Sequence, residues 1–207
     1  MKLIKAGIAI FVVVASSVAS SAGEVGFASN GEHFASRNCS WCHGPSLQGF
    51  STAPRLAGQK REYLETQLLD FKAHTRDNPL SRQYMWDAAA NHLSLETVHD
   101  LAVYLSTLNA ASAYDGDKGL ASSGQAIYRE GIPAANIPSC VACHGPNGEG
   151  FGGIPRLGGL SYYYLKRRLA QWGEGYHTAA TPPMPEVASK LSANDIEALA
   201  SYLSFVR

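Results

Sequence analysis

Two copies of one pentapeptide constrain this chain more than any other feature. The sequence reads Cys-Ser-Trp-Cys-His at positions 39–43 and Cys-Val-Ala-Cys-His at positions 140–144, so both copies have the pattern C-x-x-C-H. Two thiols at this spacing can each join one vinyl group of the same porphyrin, and the histidine that follows can bind its iron. This is the attachment signature of a c-type haem. It predicts two covalent haem c groups, held by four thiols: Cys39, Cys42, Cys140 and Cys143.

Other uses of paired cysteines fit this chain less well. A zinc ribbon separates its two pairs by about 15–20 residues, whereas 97 residues lie between Cys42 and Cys140. A thioredoxin-like redox site requires neither a histidine after the second cysteine nor a second copy of the motif. Zinc binding and two structural disulfides remain open as alternatives, because all four cysteines occur in pairs.

The first 22 residues have the composition of an export signal. Lys2 and Lys5 precede an apolar run at 6–15, and small residues follow at 16–22, which is the order of a cleavable signal peptide. The apolar run is about half of the roughly 20 residues that span a bilayer, so cleavage is favoured over a retained anchor. We predict a signal peptide over 1–22 and no transmembrane span in the mature chain.

The charge of the mature chain argues against a nucleic-acid partner. Without Lys2 and Lys5 the chain has two more acidic than basic residues, whereas nucleic-acid binding requires a basic face. Export to an oxidising compartment also permits cysteine chemistry that the cytosol suppresses. The predicted compartment and the predicted haem attachment therefore agree.

The sequence around the two signatures is duplicated. Pro-Arg-Leu occurs at 54–56 and again at 155–157, an offset of 101 positions, and no alternating strand pattern competes with apolar stripes at helical spacing. Further repeats with their helical stripes follow at 63–71 and 164–172, and at 93–105 and 191–203. We predict an all-α fold built as a tandem duplication, with an N-terminal domain over 23–112 and a C-terminal domain over 113–207.

Several helix starts are also predicted. Ser192 with Asp195 has the pattern of a capping box, and Ser94 is expected to cap the equivalent helix less completely. Two short helices, each leading towards a haem signature, are also predicted. Ser29 and Asn30 are expected to cap one at 31–37, and Ser122 and Ser123 are expected to cap the other at 124–130.

Each predicted domain has one methionine after its signature histidine. Met85 and Met184 lie 42 and 40 residues after His43 and His144. A thioether there would complete His/Met ligation of iron; filling of the core is the alternative, and the matching places of the two residues favour ligation. We predict His43, Met85, His144 and Met184 as metal ligands, with Met184 presented by a proline-rich loop rather than by a helix.

Other residues have two open interpretations each. The carbonyls of Pro54 and Pro155 are either acceptors for the second ring nitrogen of the ligand histidines or simply parts of turns. Arg55 and Arg156 either pair with haem propionates or are solvated. Five further histidines are weak alternatives as axial ligands: His33, His74, His92, His99 and His177.

The chain resembles the dihaem cytochrome c4 family over nearly the whole predicted mature sequence. The shared features are two C-x-x-C-H-G segments, Pro-Arg-Leu-x-Gly, a Tyr-Leu pair, a distal methionine, and Leu-Ser before a closing Ala-x-Tyr-Leu segment. The resemblance implies two class I cytochrome c domains packed face to face, His/Met ligation of both irons, and haems close enough for internal electron transfer. The interval from histidine to methionine is two residues longer in the first domain, so the two haem pockets are expected to differ.

The resemblance also implies a function. We expect a periplasmic one-electron carrier of a respiratory chain, without enzymatic activity of its own, that exchanges electrons with redox proteins and delivers them towards a membrane-bound terminal oxidase. The alternative is a dihaem electron-transfer subunit of an oxidoreductase complex that oxidises sulfur compounds. A dihaem peroxidase is a weaker alternative, because a closed shell of two axial ligands favours electron transfer over substrate activation.

Overall fold

The computed structural model describes residues 27–90, 93–176 and 182–207, so the predicted signal peptide at 1–22 lies outside the described residues. Within these ranges the chain is helical, and β-pairing is limited to three isolated bridges, each between residues three to five positions apart. The predicted all-α fold is confirmed.

Among the same residues, no helix combines the length and the apolar character that crossing a membrane requires.

The two halves of the chain, here called the first and the second module, contain corresponding series of helices. In the first module these are α1 over residues 27–34, a π-helical segment at Ala35–Cys39, α2 at Ser40–His43, α3 at Arg61–Lys72, a second π-helical segment at Ser81–Ala90, and α4 at Leu95–Thr107. In the second module they are α5 at Ala121–Glu130, a 3-10 turn at Pro133–Ala135, α6 at Val141–His144, α7 at Tyr162–Gly173, α8 at Met184–Ala188, and α9 at Ala193–Phe205.

The closing helix of each module lies at the centre of its packing. In the first module α3 packs against α4, and in the second both α5 and α7 pack against α9. The predicted apolar stripes face these contacts and are buried: Val98, Leu101, Ala102 and Leu105 on α4, and Ile196, Leu199, Ala200 and Leu203 on α9. Burial of these aliphatic side chains supplies the main apolar contribution to each small module.

The predicted helix starts are correct at the closing helices and wrong at the opening ones. Ser192 and Asp195 form the capping box of α9, and Ser94 Oγ accepts a hydrogen bond from the Thr97 amide. Positions 29–30 instead lie inside α1, and the serines at 122–123 lie inside α5, which begins at Ala121 without a side-chain cap. The opening helices are therefore longer than capping residues indicate, because packing against the closing helices extends them beyond the local signal.

The linker between α4 and α5, residues 108–120, changes its hydrogen-bond partner from one module to the other over two consecutive residues. The Ala111 amide donates to Gln48 Oε1 of the first module at 3.1 Å. Ser112 Oγ donates to the carbonyl of Val206 in the second module at 2.7 Å. The chain thus passes from one module to the other between Ala111 and Ser112.

Candidate haem sites

Each signature histidine is the last residue of a short helix. His43 ends α2 and His144 ends α6. The next residue in both cases is a glycine at φ 80°, Gly44 and Gly145. This left-handed conformation is open to glycine and unfavourable for most other residues. It turns the chain away from the helix and leaves both imidazoles buried, with 6% and 4% of their surfaces exposed.

The second ring nitrogen of each histidine is already occupied. His43 Nδ1 lies 2.7 Å from the carbonyl oxygen of Pro54, and His144 Nδ1 lies 3.0 Å from that of Pro155. A carbonyl only accepts, so Nδ1 carries the proton and donates it, and Nε2 keeps the lone pair that a metal requires. Of the two interpretations of these prolines, the acceptor role is the correct one.

The electrostatics of both imidazoles favour the neutral, metal-binding form. Burial lowers the pKa of His43, the bond to Pro54 opposes this, and the charge of Arg76 lowers the pKa further. Burial likewise lowers the pKa of His144 against the opposing bond to Pro155. An imidazole must be unprotonated at one nitrogen to bind iron, so the environment prepares both rings for ligation.

The four cysteines are free thiols with a matched pattern of exposure. Cys39 and Cys140 are half-buried, and burial, the largest cause, raises the pKa of each to about 11. Cys42 and Cys143 are exposed. The disulfide alternative is therefore not realised, and each module presents one inner and one outer thiol beside its histidine. These residues fit a covalently attached haem.

The zinc alternative also lacks support. Among residues 27–90, 93–176 and 182–207, no three histidine, cysteine, aspartate or glutamate side chains come together as a metal site. A tetrahedral zinc site needs four such ligands. These residues therefore do not assemble the ligands of such a site.

Met85 lies on the second π-helical segment and packs, half-buried, against the core of the first module. The next residue, Trp86, stacks on the exposed His74 ring at 4.2 Å and donates its indole N–H to the Arg76 carbonyl at 3.0 Å. π-Helical turns are rare and are often found at functional sites. The segment that bears Met85 is thus held in place by its neighbours.

Met184 is the first residue of α8 and is half-buried. The prediction that a proline-rich loop would present it without a helix is wrong. Pro185 occupies the first turn of α8, where its missing N–H removes no helical hydrogen bond. The two methionines therefore lie on different backbones, a π-helical segment in one module and an α-helical start in the other, and this agrees with the expected difference between the pockets.

Three of the other histidines lie within the described residues. His33 and His74 are exposed, and His99 Nδ1 lies 3.0 Å from Glu65 Oε1. His92 and His177 lie outside the described residues.

The two Pro-Arg-Leu arginines bind main-chain carbonyls across the two modules. The solvated alternative is therefore wrong for Arg55, and pairing with haem propionates stays a prediction. Arg55 is 4% exposed and donates to Gly158 in the second module at 2.7 Å and to Ala111. Arg156 Nε donates to the Gly58 carbonyl in the first module at 3.1 Å. The arginines thus tie each haem-side loop to the other module.

Sequence reasoning missed two further residues of the sites. The side-chain amide of Gln59 pairs with both main-chain groups of Arg156. Its oxygen accepts from the Arg156 N–H at 2.7 Å, and its nitrogen donates to the Arg156 carbonyl at 3.0 Å. Tyr128 is fully buried and donates its hydroxyl to the carbonyl of Gly145, next to His144, at 2.6 Å. Gln59 follows the repeated glycine and has no glutamine at the position 101 residues later, so the duplication does not reveal it.

Comparison with known proteins places this geometry in context. A family model described as cytochrome c matches the chain twice, over residues 28–109 and 121–206. Cytochrome c4 of Stutzerimonas stutzeri is 37% identical over 176 residues, covering 80% of this chain and 82% of that protein. The thiosulfate dehydrogenase electron acceptor of Stutzerimonas stutzeri strain A1501 is 35% identical over 199 residues, covering 89% of this chain and 86% of that protein.

A solved structure has the same architecture. The crystal structure of reduced recombinant cytochrome c4 from Pseudomonas stutzeri superposes with a TM-score of 0.76 at 34% identity, covering 87% of this chain and 98% of that one. The two family-model matches each contain one C-x-x-C-H signature, which indicates two covalent haem c groups. The chain therefore belongs to the dihaem cytochrome c4 family.

Proposed function

We propose that this chain is a periplasmic one-electron carrier in which each haem is attached through one Cys-x-x-Cys pair and bound axially by histidine and methionine. The ligand pairs are His43 with Met85 and His144 with Met184. When bound, haem iron of this kind supplies a ferric/ferrous couple. We also propose that the first domain ends near residue 112, which the change of hydrogen-bond partner between Ala111 and Ser112 supports.

The observation that carries the proposal is the repeated bond from histidine Nδ1 to a proline carbonyl. It occurs in both modules over the same separation of 11 residues. The bond fixes the tautomer and the plane of the ring, and it makes Nε2 a stronger donor. Each module has one such histidine and one half-buried methionine, which supports a closed coordination shell. Such a shell suits electron transfer because both ligands would stay in place as the charge of the iron changes.

The methionine assignment is tested by opening the second site. Met184→Ala is expected to let carbon monoxide bind rapidly to one of the two ferrous haems, while the mass of the protein still includes two haems. Val187→Ala, on the same short helix, is the matched control and is expected to leave both haems closed. Slow carbon monoxide binding in Met184→Ala, equal to that of the unmodified protein, would exclude Met184 as a ligand.

The direction of electron flow within a respiratory chain needs its own test. We propose delivery towards a membrane-bound terminal oxidase, with small and transient contacts to redox partners of the kind typical of electron-transfer proteins. Membranes that contain a haem–copper oxidase are expected to oxidise the ferrous protein with oxygen uptake that is sensitive to cyanide. Failure to oxidise it, with a control cytochrome oxidised normally, would contradict this part of the proposal.

A second candidate function is supported by one comparison. A relative 35% identical over 199 residues is named as the electron acceptor of thiosulfate dehydrogenase, so this chain is a candidate acceptor in the oxidation of a sulfur compound. Rapid reduction of the ferric protein by thiosulfate plus that dehydrogenase, and not by thiosulfate alone, would favour this role. Both roles use the same haems, and neither requires the chain to be an enzyme.

The compartment is proposed from the export-like segment over 1–22. Purified protein from a host with haem-maturation machinery is expected to begin at Gly23. An N-terminus at Met1 would mean that the segment is retained as an anchor.

A further inference from the structure

A cleft between the opening and closing helices of the first module is lined by two carboxylates. Its volume is about 440 Å³, and its lining includes Asn30 and His33 of α1 and Glu96 and Asp100 of α4. Neither α1 nor α4 contains a lysine or an arginine. The two acidic side chains therefore have no lysine or arginine on their own helices to balance them.

Asp100 is the buried member of this pair. It is 5% exposed, and its Oδ1 is buried without a hydrogen-bond partner among the described residues. None of the ion pairs in the described part of the chain includes it. A buried carboxylate is strongly unfavourable unless a hydrogen bond or an opposite charge accompanies it. An unpaired carboxylate in the wall of a cleft therefore favours a cation as the occupant.

Glu96 adds a second negative charge to the same cleft. It lies four positions before Asp100 on α4, and residues at this spacing are neighbours on one face of a helix. Two like charges in this relation repel each other. A cation between the two carboxylates would remove the repulsion and give the buried carboxylate its missing partner.

The second module has the same helix crossing without these charges. A Cβ atom on Gly31 would lie 2.1 Å from the Asp100 carbonyl oxygen. One on Gly124 would lie 2.0 Å from the Ala198 carbonyl oxygen. Asp100 thus corresponds to Ala198, and Glu96 corresponds to the asparagine four positions before Ala198. The packing of the two helices does not itself require the carboxylates.

We propose that this cleft binds a calcium ion through the carboxylates of Glu96 and Asp100, with the side-chain oxygen of Asn30 and water as further ligands. Calcium accepts about six to eight oxygen ligands of these kinds in a flexible geometry. Zinc instead needs a compact set of histidine, cysteine or acidic ligands, which the described residues do not assemble. None of the three proposed ligands belongs to a haem site, so the inference goes beyond the proposed electron carrier and does not depend on it.

The first test is titration calorimetry of the chelator-treated holoprotein with calcium chloride at constant ionic strength. One site is expected, with a Kd on the order of 10⁻⁴–10⁻³ M, as in extracellular calcium modules. Calcium is also expected to raise the Tm relative to sodium at equal ionic strength, because a ligand that binds only the folded state stabilises it. Absence of both the binding isotherm and the Tm shift at about 10 mM calcium would overturn the proposal.

Glu96→Gln tests one ligand at an exposed position, where the fold does not depend on the side chain. Calcium affinity is expected to fall about tenfold, because affinity at such sites depends on the number of charged ligands. Glu62→Gln is the matched control, since it removes the same charge from an exposed position on α3 of the same module. Equal loss of affinity in the two variants would indicate general attraction by charge and overturn the proposal.

Asp100→Asn tests the buried ligand at nearly constant volume. In chelator this variant is expected to be at least as stable as the unmodified protein, because the unpaired buried charge is gone. In calcium the unmodified protein is expected to become the more stable of the two, because only it gains from binding. A difference in Tm between the two proteins that calcium leaves unchanged would assign Asp100 a purely structural role and overturn the proposal.

The identity of the metal is tested by competition. Magnesium is expected to bind more weakly than calcium, because it demands a near-octahedral geometry and gives up its water reluctantly. His33 also lines the cleft and is a ligand that zinc would use. Zinc that binds more tightly than calcium, with an affinity that is lost in His33→Ala, would identify a different metal and overturn the assignment to calcium.

Discussion

One helix contact in the second module is tight enough to require a glycine. Gly124 lies in α5 where this helix crosses α9, and a Cβ atom built there would lie 2.0 Å from the Ala198 carbonyl oxygen and 2.7 Å from Tyr202 Cβ. The first module repeats the arrangement, since a Cβ on Gly31 would lie 2.1 Å from the Asp100 carbonyl oxygen. We predict that Gly124→Ala destabilises the second module.

The magnitude follows from this distance. A carbon–oxygen contact of about 3.3 Å is the shortest that is comfortable, so the two helices must separate by more than 1 Å, and rotation of a side chain cannot relieve a main-chain clash. Overpacking of this kind costs about 3 kcal/mol at the upper end of its usual range. Alanine recovers about 1 kcal/mol through its higher helix propensity. The expected net loss in the free energy of unfolding is about 2 kcal/mol.

Thermal and guanidinium unfolding of the holoprotein measure this loss. For a module of this size about 2 kcal/mol corresponds to a fall of roughly 8–16 °C in Tm. The matched control is Gly173→Ala at the end of α7, because a Cβ there meets nothing within 4 Å. We expect that control to be no less stable than the unmodified protein, because its Cβ meets no clash and alanine has the higher helix propensity. Equal stability of Gly124→Ala and Gly173→Ala would refute the packing argument.

Three further substitutions test other contacts. Ser192→Ala removes half of the capping box of α9 and is expected to lower the free energy of unfolding by about 1 kcal/mol in a guanidinium titration; an unchanged midpoint would contradict this. Arg55→Met leaves the Gly158 carbonyl without its donor, and a loss of about 1–3 kcal/mol with faster proteolysis of the linker is expected; linker cleavage at the original rate would count against a clamp. The carboxylate of Glu149 accepts hydrogen bonds from the Glu149 amide and from the Asn147 amide, and these bonds lower its pKa from 4.5. Glu149→Gln should therefore be less stable than the unmodified protein above pH 4.5. That difference should vanish as the pH falls through the lowered pKa, and a difference that persists in acid would refute the assignment.

The duplication identifies residues whose partners lie only a few positions away in the sequence. The cysteine pairs with their histidines span five residues, and each histidine meets its proline acceptor 11 residues later. The apolar stripes of α4 and α9 and the capping box at Ser192 are equally local. Because helical periodicity and capping need only neighbouring residues, sequence reasoning located these features correctly.

The same local reasoning failed where packing decides the backbone. The opening helices begin before their apparent serine caps, the Cys39 and Met85 turns are π-helical, and Met184 begins a helix where a loop was expected. Local propensities differ by less than 1 kcal/mol per residue among most residue types. Contacts with the rest of a module therefore determine where such elements begin and which turn they adopt.

The sequence by itself determined that the chain is a doubled helical cytochrome with two covalent haem sites, because the two cysteines and the histidine of each attachment signature lie within five consecutive residues. Only the tertiary structure decided the roles of the arginines: Arg55 and Arg156 clamp the two modules through main-chain carbonyls, and Arg76 is buried where both modules meet. These partners lie 88 to 103 positions apart in the chain. Folding alone brings them together. In the low dielectric of a buried junction, the hydrogen bonds of each guanidinium are stronger than they would be in water.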